Sequence, residues 1–378
     1  MLGILIRDIT SRIKGFMLTR VLRTRPLAWS RRTRERGPGR GASRPRAGFL
    51  TRRRLLLAAV LTALVPVLLV AAGFVGLLSE DAGSVAAVVP VRGDDGLWLG
   101  HAWVDGRRTP ADLDALVERL RKTGIRDLFV HIGPLSNDGS LNPALRPRAS
   151  WLLAGLHERL PQARVQAWLG DLVGPGGLDL TSQATRGRVL AADAQVLAEG
   201  FDGIHYDLEP VPSGDRGYLA LLTATHELTR ARHGVLSVAC DQLEPAPYLH
   251  VIEQQIFGQP HWWSAAYLHA VASRADEVAL MTYDTGVPVG AAYSGYVRLE
   301  TKLALGAVPP GVTLLIGLPA YHDSEPGHTG AETVAAAIRG VRLALGTRPQ
   351  RRSVGVALYA DYSARPADWA AYLSGWAR

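Results

Sequence analysis

From about Gly96 to its end, the chain alternates short apolar runs with amphipathic helical patterns, eight times over. No other feature constrains the fold as strongly. The predicted strands are Leu97–Val104, Asp127–Leu135, Arg164–Leu172, Gly203–Val211, Val235–Asp241, Val278–Thr285, Thr313–Tyr321 and Ser353–Tyr359. The predicted helices are Pro110–Lys122, one capped by Ser150, Thr181–Glu199, Gly217–Arg232, Trp262–Arg274, one containing Tyr296–Leu305, Ala331–Leu345 and Asp368–Trp376. Nearly continuous apolar strands need cover on both faces. Eight strand–helix pairs in about 280 residues are the size and order of an α/β chain folded as a (β/α)8 TIM barrel over 96–378. An open doubly wound sheet is the other arrangement of such units, but the first strand is followed by no Gly-rich phosphate loop.

The remainder is N-terminal and of different composition. Residues 1–54 hold 16 Arg and Lys against Asp8 and Glu35, a net +14, whereas the rest is net −6. The basic isoelectric point therefore belongs to the tail, and the folded part is not expected to bind nucleic acid. Residues 22–50, rich in Arg, Gly and Pro, read as a disordered arm able to lie on anionic membrane lipid. Leu55–Leu78 contains no charged residue, and its 24 positions are enough for a transmembrane helix, with Pro66 tolerated inside it. Arg52, Arg53 and Arg54 before it and Glu80 and Asp81 after it place the N-terminus in the cytoplasm and the barrel outside, joined through a linker over 79–95. The paired arginines also resemble a twin-arginine signal, so secretion after cleavage is the alternative. Cys240 is the only cysteine and forms no intrachain disulfide.

Barrels of this kind gather their sites at the C-terminal strand ends. Reading those ends gives Trp103, Trp168, then His205, Asp207 and Glu209 on one face of the fourth strand, Gln242, Met281-Thr282-Tyr283-Asp284, Tyr321 and Tyr359. A rim of aromatics and acids suits sugars, whose C–H faces stack on rings and whose hydroxyls bond carboxylates. His101, His131, His205 and Asp284 supply a metal-hydrolase alternative, although the first strand has no His-x-His pair.

Three motifs resemble glycoside hydrolase family 18, the chitinase-like barrels. Asp202-Gly203-Ile204-His205-Tyr206-Asp207-Leu208-Glu209 is similar to its strand-four signature Asp-Gly-x-Asp-x-Asp-x-Glu. Met281-Thr282-Tyr283-Asp284 is similar to its strand-six Met-x-Tyr-Asp, and Gly317-Leu318-Pro319-Ala320-Tyr321 to its strand-seven Gly-x-Pro-x-Tyr. The resemblance implies a glycosidase acting on N-acetylglucosamine-containing glycan, with no cofactor and no metal. Glu209 would be the general acid, Asp207 the guide of the 2-acetamido group, and Tyr283 a further bond to that group. Asp284 would bind a sugar hydroxyl, with Asp202, His205, Met281, Tyr321, Tyr359, Trp103, Trp168 and Gln242 completing the substrate-binding set. The substrate itself would supply the nucleophile.

Three positions depart from the pattern. His205 stands where the family has its middle Asp, which shares a proton with the next one. A neutral His205 could hydrogen-bond Asp207, and a protonated one could hold it ionised. Leu208 replaces an aromatic, and Tyr359 replaces the usual strand-eight Trp under the sugar. These departures keep a second reading open, an inactive barrel that binds glycan or a protein partner.

Overall fold

The computed structural model describes residues 48–85, 94–251, 262–322, 327–346 and 353–377. Residues from Leu77 onward form one compact unit. Its eight strands are β1 (Asp95–Leu99), β2 (Ile125–Pro134), β3 (Arg164–Leu172), β4 (Gly203–Glu209), β5 (Val235–Cys240), β6 (Glu277–Leu280), β7 (Thr313–Pro319) and β8 (Val354–Tyr359). All pair in parallel, each with its neighbours in sequence, and β8 returns to β1, so the sheet closes into a barrel. Closure leaves no open edge. The predicted (β/α)8 barrel is the observed fold.

Around it run α2 (Pro110–Leu120), α3 (Ala149–Arg159), α4 (Gln183–Ala198), α5 (Arg216–Ala231), α6 (Ala265–Ala272), α7 (Gly290–Ala307), α8 (Val334–Leu345) and α9 (Pro366–Gly375). Their starts are written locally. Thr109 and Asp112 form a capping box around Pro110, and Ser182, Asp215, Ser264 and Thr333 each accept a main-chain N–H of the first turn. Two predicted starts differ. Ser150 lies inside α3, whose cap is Arg148. Trp262 and Trp263 pair with Gln242 and Leu243 as a two-residue parallel bridge, and α6 begins only after Ser264. Trp263 is spent on its own anchorage, with its indole donating to the Val211 carbonyl at 2.8 Å.

The barrel floor is polar and closed. Asp95, almost wholly buried, accepts from the Val356 main-chain N–H (2.9 Å), the Tyr372 hydroxyl (2.6 Å) and the Trp376 indole (3.0 Å). It thereby ties β1 to β8 and to the C-terminal helix. One level up, Arg164 forms a two-pronged pair with Asp127 and reaches Glu277 at 3.4 Å. Above that, Trp98, Phe129, Trp168, Ala279, Leu315 and Ala357 fill the interior. The barrel is thus a packed core, with Arg164 half-buried at its lower end and the candidate site residues at its C-terminal end.

The N-terminal expectations fare unevenly. The arm over 1–54 lies outside the described residues up to position 47, and Gly48–Arg54 begin the helix α1 (Gly48–Asp81) rather than continuing a disordered stretch. The run Leu55–Leu78 falls within α1, but its side chains are described only from Leu64. Among the described residues no helix is long and apolar enough to cross a membrane. Nor does the linker run unbroken over 79–95, because Ser79–Asp81 are helical and Asp95 opens β1.

Leu77–Asp81 belong to the same unit as the barrel and dock on α7 and α8. Glu80 pairs with Arg298 and with Lys302 (2.9 Å), and Asp81 with Arg339 (2.7 Å). Gly295 makes room, since a Cβ there would lie 1.8 Å from the Leu77 carbonyl oxygen. Gly295→Ala should therefore lift Leu77–Asp81 from α7. Hydrogen exchange of these amides is expected to speed up while the barrel strands keep their protection.

Candidate active site

β4 alternates as a strand must, so Ile204, Tyr206 and Leu208 are buried against the helices and His205, Asp207 and Glu209 face the barrel axis. Tyr206 fixes this face: its hydroxyl donates to Asp193 of α4 (2.5 Å) and meets Thr225 of α5 (2.8 Å). Across the barrel wall, Trp168, Gly170 and Leu172 of β3 pair in register with His205, Asp207 and Glu209.

Asp207 and Glu209 are hydrogen-bonded to each other. Burial, then the charges of Asp207, Asp241 and Asp284, push the Glu209 carboxyl well above the usual carboxylate range. Burial also raises Asp207, while bonds from Trp168 and Glu209 pull it back. Of the two, Glu209 holds its proton the more tightly, and Asp207 takes the charge more readily. Glu209 Oε1 is buried without a hydrogen-bond partner among the described residues.

Tyr283 completes the floor. Its ring stacks on Tyr359 (5.2 Å between centroids, 20° between planes) and meets Tyr321 edge-on at 5.8 Å. Gly317 permits this, because a Cβ there would stand 2.8 Å from the Tyr283 ring. Burial holds the Tyr283 hydroxyl far above its ordinary range, so it remains a proton-bearing donor. Tyr359 also meets Trp98 and Trp168 edge-on and bonds Tyr362, which makes it part of an aromatic base rather than an isolated platform.

His205 does not serve Asp207 in either way the sequence allows. Its Nε2 accepts from the Trp98 indole at 3.0 Å, which leaves the proton on Nδ1, 2.7 Å from the Ser237 hydroxyl. Ser237 donates to Gln166 Oε1 (2.7 Å), and Gln166 Nε2 to Asp127 (2.8 Å). Phe129 stacks on the imidazole at 3.9 Å. Burial lowers its pKa to about 3, so it is neutral.

A base depressed in the folded state binds its proton in the unfolded chain first. Its contribution to stability is therefore full above about pH 6.5 and is lost as pH falls toward 3, at about 1.4 kcal/mol per unit. In urea titrations across that window, His205→Gln should show a shallower acid-side slope than the parent.

The other predicted residues divide. Asp284 follows β6 in the left-handed region (φ 57°), takes the Tyr321 hydroxyl at 2.5 Å and stands beside Tyr283 at the mouth. β6 ends at Leu280, short of the predicted end at Thr285, so Met281 and Tyr283 lie in the loop beyond the strand. Met281 is fixed by its main-chain N–H on the Cys240 carbonyl (3.0 Å). Asp202 is not in the site. It precedes β4 at the opposite end, about 23 Å of strand from Glu209, and holds the Val165 N–H (2.7 Å) and His157 (2.8 Å).

Gln242 is committed to protein, donating to the Tyr283 carbonyl (2.6 Å) and accepting from Tyr296 (2.7 Å), so it sets the Tyr283 backbone rather than binding sugar. Trp103 is buried in the wall, bonded to Asp361 (2.7 Å) beneath Arg108, and offers no face to a ligand.

The metal set His101, His131, His205 and Asp284 does not assemble, since both His205 nitrogens are engaged. Among the described residues, Asp284, His328 and Glu332 lie close enough to share an ion. Glu332, however, already accepts the N–H groups of Asp284 (2.7 Å), Thr285 (3.0 Å) and Gly286 (3.2 Å), which makes it the anchor of the loop after β6.

Sequence reasoning passed over Trp98 and Gly170. Trp98 lies below the strand end from which candidates are read, and Gly170 carries no side chain, so neither stands out.

No family model matches the chain, and no curated protein matches it. Solved structures do. A chitinase from Chromobacterium violaceum is 17% identical, over 75% of this chain and 99% of that one, with a TM-score of 0.52. The spore cortex-lytic enzyme SleL of Bacillus megaterium is 15% identical over 79% and 80% (TM-score 0.53), and that of Bacillus cereus 13% identical over 76% and 75% (TM-score 0.54). At these identities the likeness is one of fold: this chain folds as those glycosidase barrels do.

Proposed function

We propose that the barrel is a glycoside hydrolase for glycans containing N-acetylglucosamine, of chitin or peptidoglycan type, working by substrate-assisted retaining catalysis. The observation that carries the reading is the Asp207–Glu209 pair, with its proton held on Glu209 at the C-terminal mouth of the barrel. Glu209 donates that proton to the glycosidic oxygen as the bond breaks. The substrate's acetamido oxygen closes on the anomeric carbon, and Asp207 accepts the acetamido N–H hydrogen bond and balances the positive charge that grows on that group. Tyr283 donates its hydroxyl to the acetamido group, and Asp284 takes a sugar hydroxyl. Glu209, now a carboxylate, withdraws a proton from the water that opens the cyclic intermediate, and the configuration is retained.

The test is the substrate's own amide. Purified protein should cleave N-acetylglucosamine oligomers with retention and leave fully deacetylated oligomers intact, with or without chelator. Equal turnover of the deacetylated series, or loss of turnover with chelator, would overturn the mechanism. Binding without turnover would leave a glycan-binding module.

The same proposal places the barrel outside the cytoplasm on a retained anchor. Its support is the uncharged stretch Leu55–Leu78 behind three arginines, with Val67, Leu68, Leu69 and Val75 exposed on α1. Alkaline carbonate should leave the protein in the membrane fraction, and recovery of a product beginning near Ala86 would favour cleavage and secretion instead.

A further inference from the structure

We infer that Trp168 is the positioning residue for Asp207, standing in for the carboxylate partner that this chain lacks at position 205; the inference rests on the glycosidase reading of Asp207 and Glu209.

The strand below Asp207 offers it nothing. His205 is locked between Trp98 and Ser237, both of its nitrogens are used, and Phe129 covers its face. Asp207 is met instead from the side. The Trp168 indole N–H donates to Asp207 Oδ2 at 2.9 Å. The approach is built. Gly170 pairs in register with Asp207, and a Cβ on it would lie 3.6 Å from the Trp168 indole nitrogen and 3.2 Å from the Asp207 carbonyl oxygen. The tighter of the two is the main-chain contact, so the bare glycine keeps β3 and β4 close where the indole meets the carboxylate. His131 packs edge-on against the same ring at 4.8 Å and Tyr359 at 6.2 Å, so the indole is held by both rings. Trp168 is buried and reaches the reaction only through Asp207.

An indole differs in kind from a carboxylic acid as a partner. It donates one hydrogen bond and never gives up the proton. A carboxyl neighbour could take the charge from Asp207, whereas Trp168 can only stabilise it there. Trp168 therefore favours the charged form of Asp207 beside the Glu209 carboxyl, and offers the acetamido N–H a charged acceptor held from the side.

Two readouts test this. The first needs no substrate: the Trp168 indole 1H–15N resonance, assigned by its loss in Trp168→Phe, should titrate with pH, and Asp207→Asn should abolish that titration. The second is kinetic, on N-acetylglucosamine oligomers. Replacing Trp168 by 3-benzothienylalanine, which keeps the ring shape without the N–H, should lower kcat by about 10- to 100-fold, the worth of one hydrogen bond to a charged group, and change KM little. Loss of the donor raises the Asp207 pKa, so the acid limb of the rate profile should move to higher pH. An indole signal indifferent to pH and to Asp207→Asn, or an isostere with the parent's kcat and acid limb, would overturn the inference. A protein that turns over no N-acetylated glycan but shows the indole titration keeps the contact and loses only the glycosidase reading.

Discussion

Glu209→Gln is expected to reduce turnover of N-acetylglucosamine oligomers by about 10²- to 10⁴-fold, the range for removal of a positioned general acid. Glutamine keeps the shape and a hydrogen bond to Asp207 but has no proton to release to the glycosidic oxygen. Binding should survive, so KM is expected to move far less than kcat. The parent enzyme should show a bell-shaped profile. Its basic limb reports loss of the Glu209 proton and lies well above the ordinary carboxylate range, because burial and the neighbouring anions hold that proton on. In Glu209→Gln the basic limb should disappear from any residual activity. A variant with parental kcat would exclude Glu209 as the acid.

The second large effect lies at the other end of the barrel. Asp95→Ala leaves three buried donors without an acceptor: the Val356 N–H, the Tyr372 hydroxyl and the Trp376 indole. At about 1–3 kcal/mol for each buried group left unpaired, the loss is about 3–9 kcal/mol, a large part of the stability of an ordinary domain. Asp95→Asn keeps an acceptor and should cost less. The pH dependence has a definite sign. Burial raises the Asp95 carboxyl to about 6, so its folded form holds a proton that the unfolded chain has already lost. Stability should therefore decline as pH rises from about 4 to 6, and Asp95→Asn should remove that part of the slope. Chemical denaturation at several pH values reads both effects, and kcat at 25 °C should be near the parent's, because the site is a barrel length away.

Much of this was legible in the chain. Eight apolar runs separated by capped helices specify a barrel because continuous burial on both faces leaves few other solutions. Period-two alternation on β4 then puts Asp207 and Glu209 on one inward face. What could not be read was which side chains meet across strands. Asp202 sits in the same motif as Glu209, yet it lies at the opposite end of the strand and binds main chain there. Gln242 and Trp103 occupy rim positions in sequence, but their polar atoms are taken by Tyr283 and Asp361. The fate of His205 depended on Trp98, over a hundred positions earlier, and no local pattern links the two. Trp168 was found as an aromatic at a strand end. Its role comes from a nitrogen aimed past Gly170, which only the β3–β4 register reveals.

The chain of bonds from Trp98 through His205, Ser237 and Gln166 to Asp127 runs most of the way down the barrel, and it looks like a wire. It does not conduct protons. The Gln166 amide can relay a proton only through its unfavourable imidic acid form, and His205 stays neutral until pH approaches 3. None of the bonds in the chain includes Asp207 or Glu209. In the proposed cycle Glu209 would then exchange its proton at the mouth that admits the sugar, so bound glycan would gate proton traffic as well as substrate. Slow departure of product would then delay recharging of the acid, and the step that limits the cycle would be the emptying of the mouth.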